Sequence, residues 1–253
     1  MLKKYVLTAL FFLNSGIGFC QIFYSSEYLK YNVEYAWFRL GILEFSAHPI
    51  ENSDFVEAVI TIKSNPSLPF VHLDWKFNST FDQKKLRTIK YEAFSYSSDS
   101  IHTVYDFRYD EKKVYINRYD KHKKLLKSAI KDISDFELDA MTLFYFSRFQ
   151  KKGTSISKIE IWNDFVKEST SLKVDQKPEL IEVENLNRSL MTHFVSGKAD
   201  INGLYGLSGK FSGYFSDDSL SVPVLSKLNV LIGSVTCKLV EYKNKDWHPI
   251  WKE

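Results

Sequence analysis

The sequence predicts an all-β protein, mainly antiparallel and rolled or barrel-like, with one substantial α-helix near residues 135–149. Apolar residues alternate with polar ones over many short runs, which is the period of a half-buried strand. Turn-forming residues recur about every ten residues, the spacing of an antiparallel sheet or barrel. Aromatic residues make up 16% of the chain, and they favour pleated surfaces.

The first predicted strands alternate clearly. The run Tyr31–Trp37 places every second side chain on one face, and the pattern resumes over Ile42–Ala47. Gly41 lies between the two runs, so we predict a hairpin that turns near Gly41. Similar patterns predict strands at residues 55–62, 70–81, 86–96, 101–109 and 114–117.

One segment carries the signals of a helix. Ser134 can cap its start, and acidic residues follow at 135, 137 and 139, where they suit the positive end of the helix dipole. Gly153 ends the pattern. We expect the apolar stripe of this helix to pack as core against the sheet; it comprises Phe136, Ala140, Leu143, Phe144 and Phe146.

Strand patterns return after the helix, at residues 156–162, 165–174, 180–184, 190–195, 210–215 and 228–241. Five of the ten glycines fall between Gly197 and Gly213, which predicts strand bends and tight turns. Trp247 and Trp251 anchor a polar tail at residues 242–253. No linker or fixed-period repeat interrupts the chain, so we predict one domain over residues 21–253 with its core at 31–241.

The N-terminal segment Met1–Cys20 resembles a secretory signal peptide. Lys3 and Lys4 precede the apolar run Tyr5–Leu13, which is shorter than the roughly 20 residues that span a bilayer. Cleavage after Cys20 would leave Gln21 as the new N-terminus. A lipidated Cys20 and an uncleaved anchor are the alternatives. We expect the protein to be exported to the periplasm or cell envelope, with no transmembrane segment after cleavage.

Composition narrows the functional classes. The formal charge is +3, and removal of Lys3 and Lys4 would leave 3 − 2 = +1, which argues against a nucleic-acid partner. With Cys20 removed, Cys237 would be alone, and its apolar neighbours indicate a buried thiol without a disulfide. The basic run Asp120–Lys127 is typical of a solvated hairpin tip; a contact with anionic lipid headgroups or cell-wall polymer is the alternative.

Motifs of catalysis and of cofactor binding are absent from the sequence. The six histidines lack the i, i+4 spacing of a metal site on a helix, and His72 with Asp74 is only a two-residue pair. The segment that ends at Phe211 resembles a phosphate-binding loop, but Leu204 and Phe211 occupy positions where the motif requires Gly and Ser or Thr. We expect no cofactor and no metal ion.

Asp217 and Asp218 are adjacent in the sequence, and they are the pair of acidic residues that most resembles a possible site. Neighbouring residues of a strand point to opposite faces, so the two are poorly placed to share a proton. In a turn, such residues usually bond to their own backbone. The alternatives are a cation or ligand site that includes backbone carbonyls, and catalysis.

The chain resembles a known family in four places. These are Tyr31-x-Val-x-Tyr35 with Arg39-Leu40-Gly41; the strands around 73–80 and 91–96 with Phe107-x-Tyr-Asp110; the helix 135–148 with Gly153; and Gly209–Phe215 with Ser216-Asp217-Asp218, Pro223 and Gly233. Together they resemble the bacterial "domain of unknown function 3108", a family of exported envelope proteins of Gram-negative bacteria.

The resemblance covers roughly Tyr31 to Leu239 and departs from the family in two places. Phe215 stands where the family is expected to have Trp, and the tail after Tyr242 is peculiar to this chain. The resemblance implies an antiparallel β architecture of rolled form and an envelope location, and it implies no reaction. The end of the signal segment also resembles exported proteins of the Bacteroidetes type.

We expect a non-enzymatic binding or structural module, not an enzyme. Its curved sheet would offer an aromatic groove to a lipid, a glycan or a partner protein, with Asp217, Asp218, Tyr214 and Phe215 as the candidate ligand-binding residues. An alternative is that the aromatic residues only fill the core. The alternatives are a flat apolar patch for a structural partner and an enzyme that uses Asp217 with Asp74 or Asp106 on an envelope polymer.

Overall fold

A computed structural model describes residues 23, 25–68, 72–96, 100–183, 188–204, 207–230 and 233–252. It contains one helix, α1 (Ala140–Arg148), within the described residues. The strands are β1 (Glu27–Tyr35), β2 (Phe38–Pro49), β3 (Phe55–Ser64), β4 (Asp74–Asp82), β5 (Arg87–Ser95), β6 (Ile101–Arg108), β7 (Lys113–Tyr119), β8 (Leu125–Asp132), β9 (Ser155–Asn163), β10 (Val166–Val183), β11 (Arg188–Leu204), β12 (Leu207–Ser216), β13 (Pro223–Val230), β14 (Gly233–Lys243) and β15 (Trp251–Lys252).

The strands form one antiparallel sheet in the order β8-β7-β6-β5-β4-β3-β2-β1-β14-β13-β12-β11-β10-β9, with β15 paired to β11. Each half of the chain is a meander, and the pairing of β1 with β14 joins the halves. The first half ends at β8 and the second begins at β9, so these two strands are the edges of the rolled sheet. The predicted all-β, barrel-like class with one helix is confirmed.

Helix α1 lies inside the roll, where it contacts both halves of the sheet. Met141 and Tyr145 pack in a cluster with β3–β7, while Leu143 packs against β9–β12. Phe144 reaches both the first cluster and a third one formed mainly by β1, β2, β13 and β14. The apolar stripe is therefore core, as predicted, except that Phe136 precedes the helix and is exposed.

The predicted start of the helix is wrong by several residues. Asp139 is the N-cap, because its carboxylate accepts hydrogen bonds from the amides of Met141 and Thr142. The acidic residues at 135 and 137 precede the helix. Ser134 caps only the local turn, in which its amide donates to Glu137 Oε1 over 2.6 Å.

The segment before α1 is extended because its backbone bridges two distant strands. The Thr88 amide of β5 donates to the Glu137 carbonyl over 2.8 Å, and the Trp162 amide of β9 donates to the Leu138 carbonyl over 2.9 Å. Leu138 also forms a parallel bridge with Ile161. This segment links the two halves of the roll on the side opposite the β1–β14 pairing.

The hairpin predicted near Gly41 turns earlier, between Tyr35 and Phe38, which pair with each other. Gly41 lies within β2, where an added Cβ would stand 2.2 Å from the Lys63 carbonyl oxygen of β3. The glycine therefore permits a close approach of two strands and does not form the turn.

Three other strand predictions differ from the structure. Strand β8 was not predicted, because an edge strand that is exposed on most of its length has no apolar alternation. Two predicted strands merge into the long β10, whose register shifts between Val174 and Pro178. The run predicted at 228–241 is divided between β13 and β14, and Gly233 has a φ of +126° where β14 begins.

Most of the aromatic excess fills the interior. Rings of Phe23, Phe81, Tyr145 and Phe149 make edge and stacked contacts around the helix. The predicted tail also joins the core, since Trp247 and Trp251 pack against the third cluster, which is formed mainly by β1, β2, β13 and β14. Cys237 is buried as predicted, and burial raises the pKa of its thiol to about 12.

The segment Met1–Cys20 and Gln21 lie outside the described residues. The signal peptide and lipidation at Cys20 therefore stay predictions. Within the described part of the chain, α1 is too short to cross a bilayer.

Candidate functional site

Asp218, one of the predicted ligand residues, is occupied by bonds to its own turn. Its Oδ1 accepts the amides of Leu220 at 2.8 Å and Ser221 at 3.1 Å. Its Oδ2 accepts the indole N–H of Trp247 at 3.1 Å. These contacts are the turn chemistry that its residue type favours, and they fix the tail onto the β12–β13 connection.

Asp217 points into a different environment. Its Oδ1 forms an ion pair with Lys152 and lies 3.7 Å from Nδ1 of His193. The two aspartates thus have separate partners, as expected for adjacent residues. They do not form a shared acidic pair.

His193 also contacts Ser221, since its Nε2 lies 3.1 Å from the Ser221 Oγ. Ser221 contacts His193, and His193 faces Asp217, which is the spatial arrangement of a Ser-His-Asp hydrolase triad. Ser221 is however only 4% exposed, and the Nδ1–Oδ1 distance exceeds a hydrogen bond. We interpret the group as a buried polar cluster that holds the β12–β13 connection.

The histidine of this cluster gives a prediction for pH dependence. Burial lowers the pKa of His193 below its ordinary value of 6.5, although Asp217 opposes the effect. The unfolded chain therefore binds more protons just below that pH than the folded chain does. We expect the free energy of unfolding to fall as the pH drops through 6.5 toward the folded-state pKa.

His193→Gln is the variant that tests this expectation, because it removes the titrating group. Chemical denaturation at a series of pH values should show the advantage of wild type over the variant shrinking as the pH falls. An advantage that stays constant or grows would show that the buried imidazole is not the cause.

Tyr214 and Phe215, the two predicted aromatic ligand residues, lie on opposite faces of β12. Phe215 is buried in the cluster that Leu143 also joins, and its ring covers Gly213, where an added Cβ would lie 2.9 Å from it. Tyr214 is half-buried and packs against Phe194 at a ring-centroid distance of 5.1 Å. The four predicted residues therefore do not converge on one site.

The carboxylates proposed for an enzyme are also separated. Asp74 begins β4, at the end of the sheet opposite the end of β12 where Asp217 follows. Asp106 forms an ion pair with Arg108 at 3.0 Å on an exposed surface. The structure therefore brings together no pair of these three carboxylates that would support the alternative.

A buried ion pair joins several distant elements. Arg148, at the C-terminal end of α1, donates from Nη1 and Nη2 to the two Glu27 carboxylate oxygens at 2.6 and 2.7 Å. Both side chains are fully buried. Arg148 also donates to the Leu220 carbonyl at 2.9 Å, and Tyr242 donates to Glu27 at 2.8 Å. Burial alone lowers the pKa of Arg148, but the adjacent Glu27 raises it above its ordinary value.

The outer face of the second half of the sheet forms a groove of about 540 Å³. Cross-strand pairing builds it: Lys173 of β10 lies opposite Ser196 of β11, and Ser212 of β12 lies opposite Lys227 of β13. Lys198 and Lys210 form the next pair along β11 and β12. We call Lys173, Lys198, Lys210, Lys227, Ser196 and Ser212 the lysine groove.

A close contact on the inner face lies directly beneath the lysine groove, at Gly197. An added Cβ at Gly197 would stand 2.3 Å from the ring of Phe211 and 2.1 Å from the Ser171 carbonyl oxygen. Any larger residue would therefore displace the ring or the neighbouring strand. The glycine lets the Phe211 ring pack closely against β11 on the inner face of the sheet, opposite the face that carries the lysines.

Two of the four lysines in the lysine groove lack a counter-ion among the described residues. Lys210 and Lys227 are exposed and have no ion-pair partner among the described residues, whereas Lys173 pairs with Asp175 at 2.8 Å. None of the described side chains that line the groove is acidic. The prediction from sequence missed this site because its four lysines come from four separate strands.

The fold and this surface define a class of protein: a barrel-like β protein, rolled around one helix, with a cationic groove on its outer face. A model of the family described as "Protein of unknown function (DUF3108)" matches residues 30–240. The chain belongs to that family, and the resemblance found in the sequence is confirmed.

One solved structure is similar over nearly the whole fold. It is described as the crystal structure of a beta-barrel-like protein of domain of unknown function DUF1849 from Brucella abortus. The TM-score is 0.57 at 8% identity, and the match covers 88% of this chain and 99% of that chain. The likeness shows the fold. No curated protein matches this chain.

Proposed function

We propose that this protein is a non-enzymatic binding module of the cell envelope whose lysine groove holds an anionic ligand. The predicted signal peptide at Met1–Cys20 supports the location. The observation that carries the binding function is the convergence of four lysines on one groove without an acidic side chain among its described lining residues.

The chemistry of the groove favours a phosphate-bearing polyanion. Lysine ammonium groups bind phosphates as point charges, and the hydroxyls of Ser196 and Ser212 can donate to the remaining oxygens. The lysines lie on four adjacent strands, so their charges extend across the sheet and suit a ligand with several anionic groups. An extended phosphorylated glycan or a lipid headgroup would both offer that chemistry.

Charge reversal at Lys210→Glu with Lys227→Glu tests the proposal. We expect calorimetric titration with tripolyphosphate to show binding to wild type that weakens as salt is added. The double variant should lose about tenfold or more in affinity, because two favourable contacts become repulsive. Orthophosphate should bind far more weakly than tripolyphosphate, since it reaches fewer lysines.

Lys85→Glu with Lys245→Glu is the matched control, because it makes the same change in net charge at exposed residues outside the groove. Its affinity for tripolyphosphate should equal that of wild type. Equal losses in both double variants would indicate a general charge effect, and the groove would then not be the site.

A further inference from the structure

The hairpin turns at one end of the sheet carry exposed apolar side chains. Antiparallel order places the β1–β2, β3–β4, β5–β6 and β7–β8 turns at this end. We call their side chains the apolar rim: Tyr35, Trp37, Phe38, Leu73, Tyr96 and Leu125. The three hairpin turns at the opposite end of the first half are polar, with Glu51-Asn52-Ser53-Asp54, Gln83-Lys84-Lys85 and Asp110-Glu111-Lys112.

The β1–β2 turn extends past the point where the β3–β4 connection begins. Gly41 of β2 pairs with Ser64, where the β3–β4 connection begins, whereas β2 itself continues back to Phe38. Trp37 is 83% exposed and Phe38 is 53% exposed, and their ring centroids are 5.5 Å apart. Two large rings are therefore held in water at the tip of the β1–β2 hairpin, at a cost that a buried position would avoid.

The backbone of this turn adds a second observation. Ala36 has a φ of +53°, in the left-handed region that favours glycine or asparagine. An Ala-Trp turn is therefore less favourable here than a glycine-containing one. An unfavourable backbone conformation and an exposed tryptophan therefore occur together in the β1–β2 turn.

Exposed basic residues lie at the same end of the sheet as the apolar rim. Arg39 lies beside Phe38, and Lys121, Lys123 and Lys124 lie in the exposed β7–β8 turn. Among the described acidic residues at this end, Asp120 accepts amides of its own turn, Asp164 pairs with Arg118 and Glu34 pairs with Lys238, while Asp74 is exposed.

We propose that the apolar rim docks on a lipid membrane with an anionic surface. Aromatic rings at a hairpin tip suit the interface between headgroups and acyl chains. Arg39 and the lysines of the β7–β8 turn would be attracted to anionic headgroups over the range of the Debye length. This docking is independent of the lysine groove, because it depends on different residues at the end of the sheet.

Vesicle binding tests the docking. The full chain should sediment with vesicles that contain phosphatidylglycerol more than with pure phosphatidylcholine vesicles. Trp37→Ser with Phe38→Ser should reduce the partition coefficient about tenfold or more. Leu180→Ser with Ile250→Ser, which removes two apolar side chains exposed elsewhere, is the control and should bind as wild type does.

Quenching by brominated lipids distinguishes insertion of the rim from binding elsewhere. Wild-type tryptophan fluorescence should be quenched, and Trp37→Phe should lose most of that quenching. Quenching that persists in Trp37→Phe, or equal binding to neutral vesicles, would overturn the docking. The two proposals can fail separately: Trp37→Ser with Phe38→Ser should retain tripolyphosphate binding, and Lys210→Glu with Lys227→Glu should retain Trp37 quenching.

Discussion

Replacement of Glu27 by alanine is expected to reduce the free energy of unfolding by about 3–5 kcal/mol, because it leaves the Arg148 guanidinium buried without a counter-ion. Both side chains are inaccessible to solvent, so water cannot replace the lost carboxylate. For a domain of this size, the loss corresponds to a decrease in Tm of about 6–20 °C. Urea denaturation and thermal unfolding measure both quantities.

The position of Arg148 explains why the effect should be large. It connects the end of α1 to β1 through Glu27 and to the β12–β13 connection through the Leu220 carbonyl. The same interaction therefore joins the helix to both halves of the rolled sheet. Its loss should also weaken the pairing of β1 with β14, which is where the halves meet.

Two comparisons separate this effect from ordinary charge removal. Lys158→Ala removes one partner of the exposed Lys158–Glu160 pair and should cost at most about 1 kcal/mol. Glu27→Leu with Arg148→Met removes both buried charges and should be less destabilising than Glu27→Ala alone. A loss below about 1 kcal/mol for Glu27→Ala would contradict the assignment of the pair as the main link.

Asp139→Ala should be the second most destabilising change, with an expected loss of about 3 kcal/mol from a lost N-cap and unsatisfied buried donors. Asp139 Oδ2 accepts the hydroxyls of Ser79 at 2.7 Å and of Thr88 and Thr142 at 2.8 Å each. Its Oδ1 caps α1 through the Met141 and Thr142 amides. Chemical denaturation measures the loss.

The neighbouring acidic residue Asp135 provides the control. Its side chain is mostly exposed, and it precedes the helix, so Asp135→Ala should change stability by less than about 0.5 kcal/mol. If Asp135→Ala and Asp139→Ala had equal effects, the helix would begin near Ser134, as the sequence alone predicts, and the assigned N-cap would be wrong.

Local patterns predicted most of the architecture. Alternation in strands such as β3 and β6 depends only on which side of the sheet is buried, so it is visible in the sequence. The start of α1 was harder to predict from the sequence. Ser134 and Glu137 form a capping pattern, but the segment that follows them remains extended. The backbone bonds of Glu137 and Leu138 to β5 and β9 override that pattern, and they depend on tertiary structure.

The candidate site was harder to predict than the fold. Asp217 and Asp218 attract attention because they are adjacent in sequence, yet their carboxylates bind Lys152 and the following turn. The lysine groove has no local motif, since Lys173 and Lys227 come from strands that are not neighbours in the chain. Only the register of the sheet brings its cations to one face.

Nuclear magnetic resonance titration with tripolyphosphate tests the central claim, that the lysine groove is the ligand site, most directly. The largest changes in amide chemical shift are expected at Ser171, Lys198, Ser212 and Lys227, with none of that size near Trp37. Shifts centred on the Asp217–Ser221 turn, or spread evenly over the exposed lysines, would contradict the claim.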